Sequence, residues 1–214
     1  MRPPCHLATA ALCLMLAAAP LRAEAPTPVQ AAALSARLYA VGMAQADPVL
    51  VLAAARLRKQ IAPVVDPGRA AEDAGAAEAD PGDPLTWEAM AEAAVQLAEG
   101  DDTILGLIED LRAETTKGVV SGPVYNIGSL SPRKTDTYAR VDFRGGEYAE
   151  VYVEAKTTVD VNLTVLDAQG RLVCADTDPS HIAYCGWRPA ETGAFTLKVE
   201  NRGGRATGYA LMTN

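Results

Sequence analysis

Five residues near the C-terminal end could do chemistry together. The stretch CADTDPSHIAYC, from Cys174 to Cys185, holds two cysteines, two aspartates and one histidine. Three chemistries suit such a set. Cys174, His181 and Cys185 with an aspartate would bind zinc if the thiols stayed reduced. Asp176 and Asp178, joined by Asp160, Asn162 and Asp167 from the preceding stretch, offer oxygens to calcium, which takes six to eight such ligands. Cys174 and Cys185 could instead close a disulfide. The aspartates also have local uses: Asp167 would shape the DAQG turn, and Asp176 and Asp178 would accept from loop backbone N–H groups.

Compartment separates the sulfur chemistries. Arg2 precedes an apolar run of 13 residues, Leu7 to Ala19, and the small-residue text PLRAEA follows. The run is shorter than the roughly 20 residues a membrane helix needs. This is the pattern of a secretory signal peptide over residues 1–23, with cleavage expected after Ala23. Cys5 and Cys13 would leave with it. The remaining even pair then reads as a Cys174–Cys185 disulfide in an oxidising compartment, which disfavours zinc. The Ala, Gly, Pro and Arg usage suggests a high-GC bacterial genome, hence the periplasm or beyond. No second long apolar segment follows, so no membrane span is expected in the mature chain.

Catalysis finds little support. His181 is the only histidine after the expected cleavage, and no GxSxG elbow accompanies it. An oxidised cysteine is no nucleophile. A glycosidase-like carboxylate pair needs two marked positions, and none stands out.

The chain has two parts of different charge. Residues 24–116 hold 16 acids and 6 bases, a net of −10, whereas 117–214 hold 11 of each. Neither part offers the basic surface that nucleic-acid phosphates require.

The elements that must position these residues also divide in two. Val29 to Ala62 is helical text, with Leu34, Leu38, Val41 and Met43 at spacings of three and four. Asp47 before Pro48 marks a fresh N-terminus, and Arg58 and Lys59 suit the C-terminal end of that helix. The stretch 64–83 is rich in Pro, Gly, Ala and acid, and is expected to be a mobile acidic linker. Helix resumes after Asp83-Pro84, and again after Asp101 or Asp102. A shift of 54 residues places Val41 on Val95, Asp47 on Asp101, Leu57 on Leu111 and Arg58 on Arg112. Two helix pairs, four helices in all, would bury one another's apolar faces. They loosely resemble helical-hairpin repeats of the tetratricopeptide kind, which implies a groove for a partner peptide.

From residue 119 the period becomes two. YAEVYVEA, VDVNLTVLD, LVCAD, AYCGW, AFTLKVEN and YALMTN alternate, and Gly-containing turns separate them. Seven or eight such strands suit a two-sheet β-sandwich or jelly roll. Trp187, Phe195, Leu197, Val199, Tyr209 and Leu211 are expected in its core. The fold class is therefore α+β in two parts, helical hairpins and then an all-β sandwich.

Three passages, VDVNLTVLDAQGRLVCADTD, CGWRPAETGAFTLKVENRG and terminal YALMTN, resemble the bacterial pre-peptidase C-terminal domain over Thr137 to Asn214. The resemblance implies a non-catalytic sandwich on exported proteins, some of which bind calcium and some extracellular polymers. Asn162 departs from that pattern, standing where a second aspartate often appears. The expected function is an exported, non-catalytic binding protein of the bacterial periplasm, recognising a protein or polymer partner. A calcium-stabilised accessory module and a hydrolase with an unidentified carboxylate pair are the alternatives. No cofactor other than calcium is expected.

Overall fold

A computed structural model describes residues 25–61, 64–65, 71–72, 85–114 and 124–214. The expected signal peptide, most of the linker and the start of the expected sandwich lie outside the described residues.

Each helix begins at a side chain that satisfies its first N–H groups. Thr27 and Gln30 form a reciprocal capping box ahead of α1 (Pro28–Gln45). Asp47 accepts from Val49 and Leu50 to start α2 (Pro48–Lys59). Next comes α3 (Trp87–Ala98), and its start differs from the expectation. It is capped by Thr86, whose hydroxyl accepts from Ala89. Asp83 and Pro84 are outside the described residues. Asp101 accepts from Thr103 and Ile104 to start α4 (Asp102–Ala113). The 54-residue shift thus carries α2 onto α4 from cap to last residue.

The buried face of α1 is also not the one its leucines suggest. Val29, Ala32, Ala33, Ser35, Ala36 and Gly42 are buried, whereas Leu34, Val41 and Met43 are exposed. Small side chains let α1 lie close to its neighbours. A Cβ at Gly42 would come within 2.8 Å of the Val51 side chain on α2, so this crossing needs glycine. Val51, Ala54, Ala55, Met90, Ala91, Ala94, Ile108 and Leu111 form the core of the four helices.

The C-terminal half is a sandwich of two antiparallel four-stranded sheets. Strands β2 (Val124–Leu130), β9 (Thr207–Thr213), β4 (Ala149–Ala155) and β7 (Ile182–Trp187) make one sheet in that order. Two linker residues, β1 (Val64–Val65), extend it by pairing in parallel with β2. Strands β3 (Thr135–Phe143), β8 (Gly193–Asn201), β5 (Val161–Leu166) and β6 (Leu172–Asp176) make the other sheet. Alternation does the sorting. Val161, Leu163 and Val165 face the core, and Leu197, Val199, Tyr209 and Leu211 meet them there with no exposure. Trp187 is only partly buried and packs against Phe143 and Phe195 at one end of the sandwich. At the linker, Glu72 N–H donates to the Thr137 carbonyl at 2.8 Å.

Cys174 on β6 and Cys185 on β7 form a disulfide. These are edge strands of opposite sheets, so the bridge fastens the two layers together where no backbone ladder crosses. The cysteines are 11 residues apart, and a closed loop of that size contributes about 3 kcal/mol in the chain-entropy model. Replacing both cysteines by serine should lower urea-unfolding stability by about that amount. An unchanged unfolding midpoint would contradict the stapling role.

Candidate binding surfaces

Strand β4 is buried along its whole length, although its sequence AEVYVEA alternates polar with apolar. Val151 and Val153 face the sandwich core. The other face carries Glu150, Tyr152 and Glu154, and the helical unit covers it. Val29, Ala32, Ala33 and Ala36 of α1 join Ile61 against Tyr125, Tyr152, Ile182, Ala210 and Met212. Two carboxylates are therefore buried under a helix, which is costly unless they are paired.

Arg58 pairs one of them. Its guanidinium donates to Glu154 twice, at 2.9 Å to Oε2 and 3.3 Å to Oε1. Its Nε donates to Ser35 Oγ at 3.2 Å, and Ser35 donates onward to the Ala54 carbonyl at 2.8 Å. The Tyr152 hydroxyl donates to Glu154 Oε2 at 2.8 Å. Burial, and then the Glu154 charge, hold the Tyr152 phenol well above its ordinary range, so it stays a donor. Arg58 is 6% exposed and Glu154 5%, so α1, α2 and β4 meet at a dry ion pair. The 54-residue repeat diverges here. Its counterpart Arg112 is exposed and binds Glu109 and Glu92 instead. Lys59, expected to favour its own helix end, reaches the other hairpin. Its ammonium donates to the Leu111 and Arg112 carbonyls and lies 4.3 Å from the Trp87 ring centroid.

Glu150 is the second carboxylate. The Tyr184 hydroxyl donates to its Oε1 at 2.6 Å. Burial, and then this bond, push the Tyr184 phenol far upward.

Two of the larger concave surfaces among the described residues are lined by the helical unit. One is a cleft of about 390 Å³ where the helices meet the sandwich. Tyr39, Leu85, Glu154, Lys156, Thr157 and His181 line it. His181 is half-buried in this wall, and no serine or cysteine among the described residues lines the cleft. The other is a groove of about 430 Å³ on the far side of the helical unit. Val49, Leu52, Ala53 and Arg56 from α2 form one wall. Leu107, Asp110 and Leu111 from α4, with Glu114 at its C-cap, form the other. Each wall repeats at i, i+3, i+4 and i+7, the spacing of one helix face.

The expected calcium residues are dispersed among several tasks. Asp167 accepts from Gln169 N, Arg171 N and Arg171 Nε, which closes the DAQG turn. Those bonds, the one to the Arg171 backbone first, hold its carboxyl below the usual range. Asp176 accepts from Asp178 N at 3.2 Å and from Tyr184 N at 2.9 Å, tying β6 to β7. Asp178 is exposed. Asp160 Oδ1 and Asn162 Oδ1 are buried and have no hydrogen-bond partner among the described residues. Among the described residues, no three His, Cys, Asp or Glu side chains gather as a metal-ligand set. The disulfide removes Cys174 and Cys185 from any zinc site. No helix among the described residues is long and apolar enough to cross a membrane.

Sequence reasoning missed the Arg58–Glu154 pair and did not place the expected groove between α2 and α4. A glutamate inside an otherwise apolar strand was the available signal for the first. The matched spacing of Val49–Leu52–Ala53 with Leu107–Asp110–Leu111 was the signal for the second.

No protein-family model matches the chain, and the curated proteins include no match. Many solved structures are similar to part of it, these three among them. The pre-peptidase C-terminal domain of a collagenase from Bacillus anthracis is 14% identical with a TM-score of 0.36, covering 43% of this chain and 89% of that one. A periplasmic inhibitor of g-type lysozyme from Aeromonas hydrophila is 14% identical with a TM-score of 0.33, covering 47% and 91%. A carbohydrate-binding module of a Cellvibrio mixtus lichenase, solved with cellotriose, is 13% identical with a TM-score of 0.26, covering 40% and 72%.

The ion pair carries a stability prediction. Arg58→Met should cost about 3–5 kcal/mol in urea unfolding, because Glu154 is left charged and dry. The double variant Arg58→Met with Glu154→Leu should recover most of that loss. Equal stability of the single variant and the parent chain would show that the pair does not join the two halves.

Proposed function

We propose that the chain is an exported, non-catalytic binding protein of the bacterial periplasm whose partner is a protein. One observation carries the reading. Large apolar side chains stand in solvent on the helical unit although alanines fill much of its interior. Leu34 is 49% exposed, Val41 45%, Met43 42%, Val49 53% and Leu107 46%. Ile127, Tyr148 and Leu172 of the sandwich are exposed as well, but on the helical unit Val49 and Leu107 line one groove, and apolar surface gathered in that way marks an interaction surface. The disulfide supports the exported setting, since such bridges persist where the compartment oxidises thiols. Immobilised mature chain should retain a protein from an envelope extract of the source bacterium, above a blank resin. Retention of polysaccharide alone would refute a protein partner.

A second reading concerns calcium. It draws on the orphaned oxygens of Asp160 and Asn162, which suit a hard cation better than an empty apolar contact. Arg202 competes for the same charge. It is held by Glu200 at 2.9 Å and lies close enough to Asp160 to feel it. Chelator-treated protein should melt higher when millimolar calcium is added, and Asp160→Ala should abolish the rise. A calcium-independent melting temperature would rule this reading out.

A further inference from the structure

We infer that the groove between α2 and α4 docks an amphipathic helix of a partner protein, with lysines or arginines flanking the apolar stripe of that helix. The inference rests on the protein-binding reading above and names the site and the partner's chemistry. The shape comes first. The groove runs between two helices whose walls carry the same helical spacing, so a third helix can lay its own ridge between them. Val49 to Arg56 rises roughly 10 Å, about two helical turns. Leu111 is buried at the floor, while Val49 and Leu107 stand half-exposed at the rims. That is the layout of an apolar strip waiting for a knob on each turn.

Charge selects among occupants. Arg56 is the one base of the groove lining, and it lies 3.6 Å from Glu114. Among the described residues no ion pair is formed by Asp110. Asp102 and Glu109 lie on the same helix, Glu109 being held by Arg112, and the described helical residues 25–61 and 85–114 carry nine acids against five bases. The field over this face is negative, which draws basic partners and repels acidic ones. A second copy would bring the same acids to the interface. An anionic membrane surface would be repelled in the same way. A helix with basic flanks satisfies both the strip and the rim.

The probe is a fluorescently labelled helical peptide of about three to four turns, with leucines at i, i+3, i+4 and i+7 and lysines flanking them. A control peptide replaces the lysines by glutamates. Anisotropy titration of the mature chain at low salt should give saturable binding of the lysine peptide, weakening as salt rises. The glutamate peptide should bind at least about tenfold more weakly. The double substitution Val49→Asp with Leu107→Asp should weaken the lysine peptide by about tenfold or more, as loss of central apolar anchors does. Both positions are solvent-facing, so the melting temperature should stay near that of the parent chain. Equal binding of the two peptides would overturn the inference, as would undiminished binding to the double variant. A dimer in sedimentation that the double substitution dissolves would assign the groove to a second copy and overturn it too. If the double variant still retains an extract protein as the parent does, protein binding stands and this site falls.

Discussion

Glu154 is a charge almost wholly withdrawn from water at the wall of a cleft, and the architecture follows from how that charge is met. It sits on the outer face of a central strand that other strands flank on both sides. The helical unit seals that face with α1 and must also supply a cation. Arg58 reaches down from α2 past Ser35 of α1 to do so. A buried pair of this kind adds little net stability compared with two apolar side chains. What it provides is register. Helices slid by one turn along the sheet would leave both ions dry and unpaired, so one arrangement is favoured over its neighbours. The apolar contacts around it supply the attraction, and the pair fixes the position.

This constraint makes the molecule more than a helical domain tethered to a sandwich. Val29, Ala32 and Ala36 pack on Tyr152 and Met212, and Ile61 packs on the same cluster just after α2 ends. Val64 and Val65 then join the sheet edge beside β2. The chain therefore leaves the helices and engages the sandwich within a few residues. With α1 fixed on the sheet, α2 is fixed through Gly42 and Val51, and Lys59 holds the end of α4. The outer groove thus inherits its orientation from the sandwich, and the disulfide keeps the two sheets of that platform together.

Much of this was legible in the sequence, for local reasons. Asp47 and Asp101 announce helix starts because an N-cap acts within three residues. The strands of the C-terminal half declare themselves by alternation, and the Cys174–Cys185 pairing by compartment. The misread features depend on distance. In α1 the leucines look like the buried stripe, but alanine, serine and Gly42 occupy the buried face because close approach to β4 and α2 leaves no room for larger groups. Glu150 and Glu154 stand in an alternating strand, and alternation says nothing of what covers a sheet. Arg58 looks like a helix-end cation, since its partner lies 96 positions away. Asp167 and Asp176 each bind backbone N–H groups nearby, a task their residue type does not announce. Residue types alone do not distinguish a carboxylate serving its own loop from one awaiting an ion.

The ion pair and its apolar surround make the helical unit and the sandwich one cooperative body. Scanning calorimetry of residues 24–214 at neutral pH tests this most directly. A single transition is expected, with calorimetric and van't Hoff enthalpies that agree. Two resolved transitions, one matching the sandwich expressed alone, would contradict it.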